Sequence, residues 1–232
     1  MSNIECKVVE VSPLTEHVSK VLLKPTEPLV FIAGQYIELV ISDKDKRPFS
    51  IANSPLDNEF IELHIGASTK DEWASTALAH IKSNSTVYLS GPSGNAGLRD
   101  SDNRPVILLA GGTGFSYTKS IADTLLKQNH QQPIYFYWGL RNQAAAYELE
   151  YWLDKHDKHD HFHFIPVIES SDDSWKGRTG LVIDAVLEDF THLADYHIYC
   201  AGRFDMVGKA RDEFVKKGLN VDHIFADAFA FI

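Results

Sequence analysis

The chain has 232 residues, 44% of them hydrophobic and 23% charged, which is ordinary for a globular fold and enough for one large domain or two modest ones. A formal net charge of −10 argues against nucleic acid or an anionic membrane as the main partner, since both repel an acidic surface, but it permits an anionic cofactor in a local positive pocket. The two cysteines, Cys6 and Cys200, are too few for a disulfide scaffold or a four-cysteine iron–sulfur cluster; with no signal-peptide pattern at residues 1–7 and no apolar run long enough to span a bilayer, the expected compartment is a reducing cytoplasm.

Up to about residue 100 the sequence reads as short strands, at 5–11, 18–24, 35–41, 60–65 and 86–90, with residues 47–50 closing a further extended stretch. Strands at this spacing, broken by Gly, Pro, Asn and Asp, predict a small antiparallel barrel or sandwich. One helix interrupts it at 72–82, where Trp73, Ala77, Leu78 and Ile81 recur at helical spacing. After Asn103 the rhythm changes. Residues 105–110 are continuously apolar, as in a strand buried on both faces. There follow a helix at 115–127, a strand at 134–138, a helix at 147–153, a strand at 162–168, a helix at 181–188, a strand at 196–200, a helix at 204–217 and a short strand at 223–225. Alternation of strand and helix predicts a doubly wound, Rossmann-like parallel sheet that binds its ligand outside the carboxyl ends of the strands. Residues 101–104 are the best linker, so the expected domains are an N-terminal β-barrel at 1–100 and a C-terminal α/β domain at 101–232.

Two short segments carry the chemistry. Gly111-Gly112-Thr113-Gly114 joins a buried strand to a helix. Glycines permit positive φ and close approach to phosphate, and the helix that follows offers free N–H groups and the positive end of its dipole. Thr113 and Ser116 add hydroxyls, and Phe115 opens the helix. The turn lacks the third-glycine spacing of the full dinucleotide fingerprint, so a plain strand-to-helix turn fits it equally well. Arg47-Pro48-Phe49-Ser50 offers a cation, a ring and a hydroxyl at a strand end, the groups a flavin needs for its ring wall, its N5 and its polar edge. A surface arginine beside a buried phenylalanine is the plainer reading.

In this order and spacing, the two segments resemble the ferredoxin–NADP reductase superfamily. Ala33-Gly34-Gln35-Tyr36, Leu63 to Ser68, the turn Ser90-Gly91-Pro92-Ser93-Gly94 and Cys200-Ala201-Gly202-Arg203 resemble further segments of that family, and the likeness covers nearly the whole chain. Within it, Asp45 to Ser50, Ile61 to Ser68 and the terminus from Asp227 to Ile232 resemble the small bacterial NAD(P)H:flavin oxidoreductases that also supply reduced flavin to luciferase. The resemblance implies hydride transfer from NADH or NADPH to N5 of a free flavin, whether FMN, FAD or riboflavin. It implies a flavin held by Arg47, Pro48, Phe49, Ser50, His64, Ile65, Gly66, Ala67 and Ser68. The nicotinamide nucleotide would lie on Gly111, Gly112, Thr113, Gly114, Phe115 and Ser116, with Cys200 and Gly202 bordering the nicotinamide. Ser50 would be the positioning hydroxyl near N5, and Asp227, near the C-terminus, would lie beside the flavin.

Other residues stay open at this level. His64 is either structural or flavin-facing. Arg141 can meet an adenosine ribose or its 2′-phosphate, which leaves NADH and NADPH both open. Ala201 makes the Cys200 turn less like the family's Cys-Gly-Pro. His161 and His163 share a strand face with His156 and His159 nearby, but no carboxylate or cysteine spacing completes a metal site, and none is expected. Two other functions remain: a reductase with tightly bound FAD serving a protein acceptor, and a non-catalytic flavin or nucleotide sensor. The first is disfavoured because no segment between Ile65 and Pro92 resembles one that grips the adenosine half of FAD.

Overall fold

The computed structural model describes residues 3–67, 72–99 and 103–232, so Ser68 and the first half of the expected linker lie outside the described residues. The chain forms two compact units, residues 1–98 with 119–127 and residues 99–118 with 128–232.

The first unit is built from β1 (Ile4–Pro13), β2 (Val18–Pro25), β3 (Tyr36–Ser42), β4 (Asp45–Ser50), β5 (Ile61–Gly66), α1 (Glu72–Ser83) and β6 (Thr86–Ser93). Its strands form one six-stranded sheet in the order β4-β3-β6-β1-β2-β5, antiparallel at every pairing. The sheet curls back on itself: just past β4, the Ala52 N–H donates to the Glu62 carbonyl of β5 at 2.8 Å. Strand alternation sets the core, with Ile61, Leu63 and Ile65 of β5 fully buried beside Val21, Leu23, Ile37, Leu39 and Leu89. Helix α1 covers that core with Ala74, Ala77 and Ile81. Trp73, expected on the same face, is instead 46% exposed. It stands in the first turn, at the rim of the core, where its ring lies against Phe49 and the Arg47 guanidinium.

The second unit contains β7 (Val106–Gly111), the first turn of α2 (Phe115–Lys127), β8 (Ile134–Leu140), α3 (Leu149–Lys158), β9 (Phe162–Ile168), β10 (Arg178–Thr179), α4 (Val182–Asp189), β11 (His197–Ala201), α5 (Phe204–Lys216) and β12 (Ile224–Phe225). The sheet is parallel, in the order β10-β9-β8-β7-β11-β12. After β7 the chain first builds outward through β8, β9 and β10, then returns to the other side of β7 with β11. The switch point therefore falls between β7 and β11, where open α/β sheets take their ligands. The five residues from Val106 to Ala110 are buried throughout, as their unbroken apolar run requires. Helix α3 begins after the expected Tyr147 because Glu148 adopts a left-handed φ of 59°, and the Tyr147 ring packs among Phe115 and Trp138 instead. The two-residue strand β10 was not anticipated, being too short to show a periodicity.

Candidate functional site

In the barrel unit, β3 pairs with β4 so that Tyr36 faces Ser50 and Leu39 faces Arg47. Arg47 is not a free surface cation. It is buried, donates twice to Asp45 (2.9 and 2.7 Å), reaches the Trp73 carbonyl, and lies 5.5 Å over the Trp73 ring. The hydrogen bond from Arg47 holds the Asp45 carboxyl below the usual range. A fork fixed on both sides in this way presents its planar edge in one orientation. Phe49 tilts against Trp73 at 5.4 Å, and Pro48 is exposed. Ser50, half-buried, ends the strand.

The second strand expected near the flavin is β5. Ile65 turns into the core, whereas Gly66 and Ala67 are half-buried, so these two present backbone to a ligand more readily than Ile65 presents its side chain. The His64 side chain is buried, with Nε2 2.7 Å from Glu62 Oε1. Lys119 of α2 lies 3.3 Å from the same oxygen and 3.5 Å from Asp123. Burial alone would raise the Glu62 pKa, but the bond to His64 and the charges of Lys119, His64 and Lys20 outweigh it and bring it down to about 2. The same helix face is polar and buried elsewhere. Ser120 Oγ donates to the Asn53 carbonyl at 2.7 Å, and Thr124 Oγ1 lies 2.8 Å from Ser54 Oγ. Asn53 in turn donates to the carbonyls of Asp57 and Phe60 and accepts from the Glu62 N–H, each at 2.9 Å. The loop between β4 and β5 is thus held by satisfied polar groups as well as by the burial of Ile51 and Ala52.

In the α/β unit, the three glycines of the turn have three different reasons. Gly112 has φ +55°, and a Cβ built on it would meet nothing within 4 Å. Gly114 is the close approach: a Cβ there would lie 2.4 Å from the Ala201 carbonyl oxygen. Gly111 would strike the Met206 sulfur at 2.6 Å. Gly112 and Thr113 are exposed, while Trp138 Nε1 donates to the Gly112 carbonyl at 2.9 Å and fixes the turn from below. The Phe115 ring is wholly buried, stacked on Trp138 at 4.0 Å, so it anchors the turn and offers a ligand no ring surface. Ser116 is buried in the first turn of α2, and its Oγ has no hydrogen-bond partner among the described residues. An open cradle at a positive-φ glycine, followed by an orphaned hydroxyl on a helix N-terminus, fits a phosphate group of a nicotinamide nucleotide.

Across the switch point, Cys200 is 1% exposed and burial lifts its thiol pKa to about 12, so it is not a nucleophile. Its side chain belongs to the core with Leu109 and Val207, which leaves Ala201 and Gly202 to line the end of β11. Near that end, Tyr199 accepts the Arg99 N–H at 2.9 Å and stacks on Phe225. Burial, then the Asp227 carboxylate, push the Tyr117 hydroxyl well above its ordinary pKa, so Asp227 stands close to Tyr117. Arg141 follows β8 and is exposed. His156 is bonded to the Phe162 carbonyl at 3.0 Å and His163 stacks on Tyr135; among the described residues the histidines of this region do not bring three ligand atoms to one point. The residues missed from sequence are Trp73, Glu62, Lys119 and Met206. Of these only Trp73 stood out in the sequence, where it read as part of the apolar stripe of its helix rather than as a partner of Arg47.

Residues 5–97 match the oxidoreductase FAD-binding domain family and residues 108–212 the oxidoreductase NAD-binding domain family. The fold is shared with an Amycolatopsis cytochrome P450 reductase (29% identity, TM-score 0.87, 97% of this chain and 69% of that one) and with a ferredoxin reductase of carbazole 1,9a-dioxygenase (27%, 0.85, 98% and 69%). These define the class: a flavin- and nicotinamide-dependent oxidoreductase of the ferredoxin reductase superfamily. The chain is also 43% identical to an NAD(P)H-flavin reductase of Vibrio harveyi and 44% identical to one of Aliivibrio fischeri, over 99% of both chains in each case. It belongs to the NAD(P)H-flavin reductase family.

Proposed function

We propose that this chain reduces free flavin (FMN, FAD or riboflavin) with NADH or NADPH, and that the flavin is a diffusing substrate rather than a resident group. The observation that carries the reading is the open glycine turn at a sheet switch point, in a chain similar to NAD(P)H-flavin reductases from end to end. Bound together, the two ligands supply the chemistry, a hydride leaving nicotinamide C4 for flavin N5.

The protein's part is to bind and orient. Residues 1–100 are the flavin domain and 101–232 the nucleotide domain. In the first, Arg47, Pro48 and Phe49 form the wall, with Ser50 placing a hydroxyl near N5. His64 to Ser68 supply a second strand against the flavin. In the second, Gly111 to Ser116 cradle the pyrophosphate. Cys200 and Gly202 border the nicotinamide through their backbone, Asp227 lies beside the rings, and Arg141 meets the adenosine ribose or its phosphate. Holding two rings in a near-attack stack contributes up to several kcal/mol without any acid or base from the protein. Reduced flavin would pass to ferric complexes, oxygen or a flavin-dependent monooxygenase such as luciferase. The working compartment is the cytoplasm, and among the described residues no helix is long and apolar enough to cross a membrane.

The test is nicotinamide oxidation by desalted protein, with and without added flavin. Colourless protein that oxidises NADH or NADPH only when flavin is added, and saturates with it, supports the reading. Yellow protein active only with an artificial electron acceptor would make it a bound-FAD reductase instead.

A further inference from the structure

Met206 stands in the first turn of α5, and its thioether ends at the switch point. A Cβ on Gly111 would lie 2.6 Å from its Sδ, and a Cβ on Gly202 would lie 2.7 Å from its Cε. The two glycines are also neighbours: a Cβ built on Gly202 would lie 3.4 Å from the Gly111 Cα. One flexible side chain therefore occupies the space that both glycines leave empty, at the carboxyl ends of the paired strands β7 and β11. Its other contacts are to the apolar core, against which it is only partly buried. An unbranched thioether suits so irregular a gap, which a side chain of only Ala or Val length would leave open.

We propose that Met206 is a positioning residue for the nicotinamide nucleotide. Packed against both Gly111 and Gly202, it fixes the seating of the two turns between which the nucleotide lies. Without the thioether the space beside these glycines is unfilled, and the cradle at Gly112 loses its registration with the end of β11. The inference rests on the reading of the glycine turn as the nucleotide site.

The experiment compares the full-length wild type with Met206→Ala, Met206→Val and Met206→Leu. It measures the Kd for NAD+ by calorimetry without flavin, the KM for NADH and for FMN, and the melting temperature. Met206→Val keeps the core contact near the backbone but lacks the reach to the glycines, so it serves if Met206→Ala does not fold. Both should weaken NAD+ binding and raise the KM for NADH by about tenfold or more, with the KM for FMN changed by less than about twofold. Met206→Leu, of similar volume, should recover most of the loss. Equal Kd in wild type and Met206→Val, or equal rises in both KM values, overturns the inference while the nucleotide site stands. A wild type that binds neither NAD+ nor NADH overturns the site itself, and this inference with it.

Discussion

The two units build their candidate sites in opposite ways. In the barrel, the groups are side chains locked by other side chains: Arg47 between Asp45 and Trp73, and Glu62 between His64 and Lys119. In the α/β unit the site is backbone, shaped by what glycine lacks, with Gly112 open and Gly114 pressed on Ala201. A side-chain site is orientated by charge and is therefore sensitive to pH. A glycine site is orientated by packing and is sensitive to a single methyl group. The substitutions below separate those two dependences.

The largest effect is expected in the barrel. Glu62→Ala removes the common partner of His64 and Lys119 and should cost about 3–5 kcal/mol of stability, read as a shift in the denaturation midpoint. The pH dependence has a definite sign. Because the folded-state pKa is lowered from 4.5 to about 2, the stabilisation is complete above the ordinary value and is lost as pH falls through that window, roughly 3 kcal/mol in all. The variant should lose that part of the acid dependence; a wild-type slope in Glu62→Ala would show that the cluster is not what titrates.

In the α/β unit, Gly114→Ala should cost about 1–3 kcal/mol and weaken nicotinamide nucleotide binding, because its methyl would sit 2.4 Å from a carbonyl oxygen. Gly112→Ala meets no neighbour within 4 Å and should cost only about 1 kcal/mol, the strain of a left-handed residue. Thermal melts of the two variants side by side would reverse the assignment of the two glycines if Gly112→Ala proved the worse.

Ser50→Ala is a smaller change in energy but a specific one. Turnover should fall at least about tenfold with the melt nearly unmoved, the scale of one hydrogen bond in the reacting geometry. An unchanged turnover removes Ser50 from the site. The smallest effect is at the cysteines. Cys6 and Cys200 are buried, each with its pKa raised to about 12, so neither should react with iodoacetamide in the folded protein near neutral pH, whereas both should react once it is unfolded. Rapid labelling of native Cys200 would mean that the end of β11 is open.

The architecture was legible because each unit has its own period. Ile61, Leu63 and Ile65 alternate, the stretch from Val106 to Ala110 does not, and the expected elements fall within a residue or two of the observed ones for nearly every strand and helix. The glycine turn and the Arg47 segment were legible as motifs. The supports beneath them were not. Lys119 reads as an ordinary helix residue until the fold brings it to Glu62, and Arg47 reads as exposed until Asp45 and Trp73 close on it. Gly111 and Gly114 read as phosphate glycines, yet their crowding comes from Met206 and Ala201, far along the chain. Local pattern encodes the elements, whereas contacts between distant segments decide which side chains are free to act.

The most direct test of the central claim is an anaerobic titration of free FMN with NADH in the presence of catalytic amounts of this protein, following the nicotinamide and flavin absorbance bands together. One flavin should be reduced for each NADH oxidised, at a rate that depends on the protein and saturates in both reactants. NADH oxidation without matching bleaching of the flavin band, or no protein-dependent oxidation with any flavin, would contradict it.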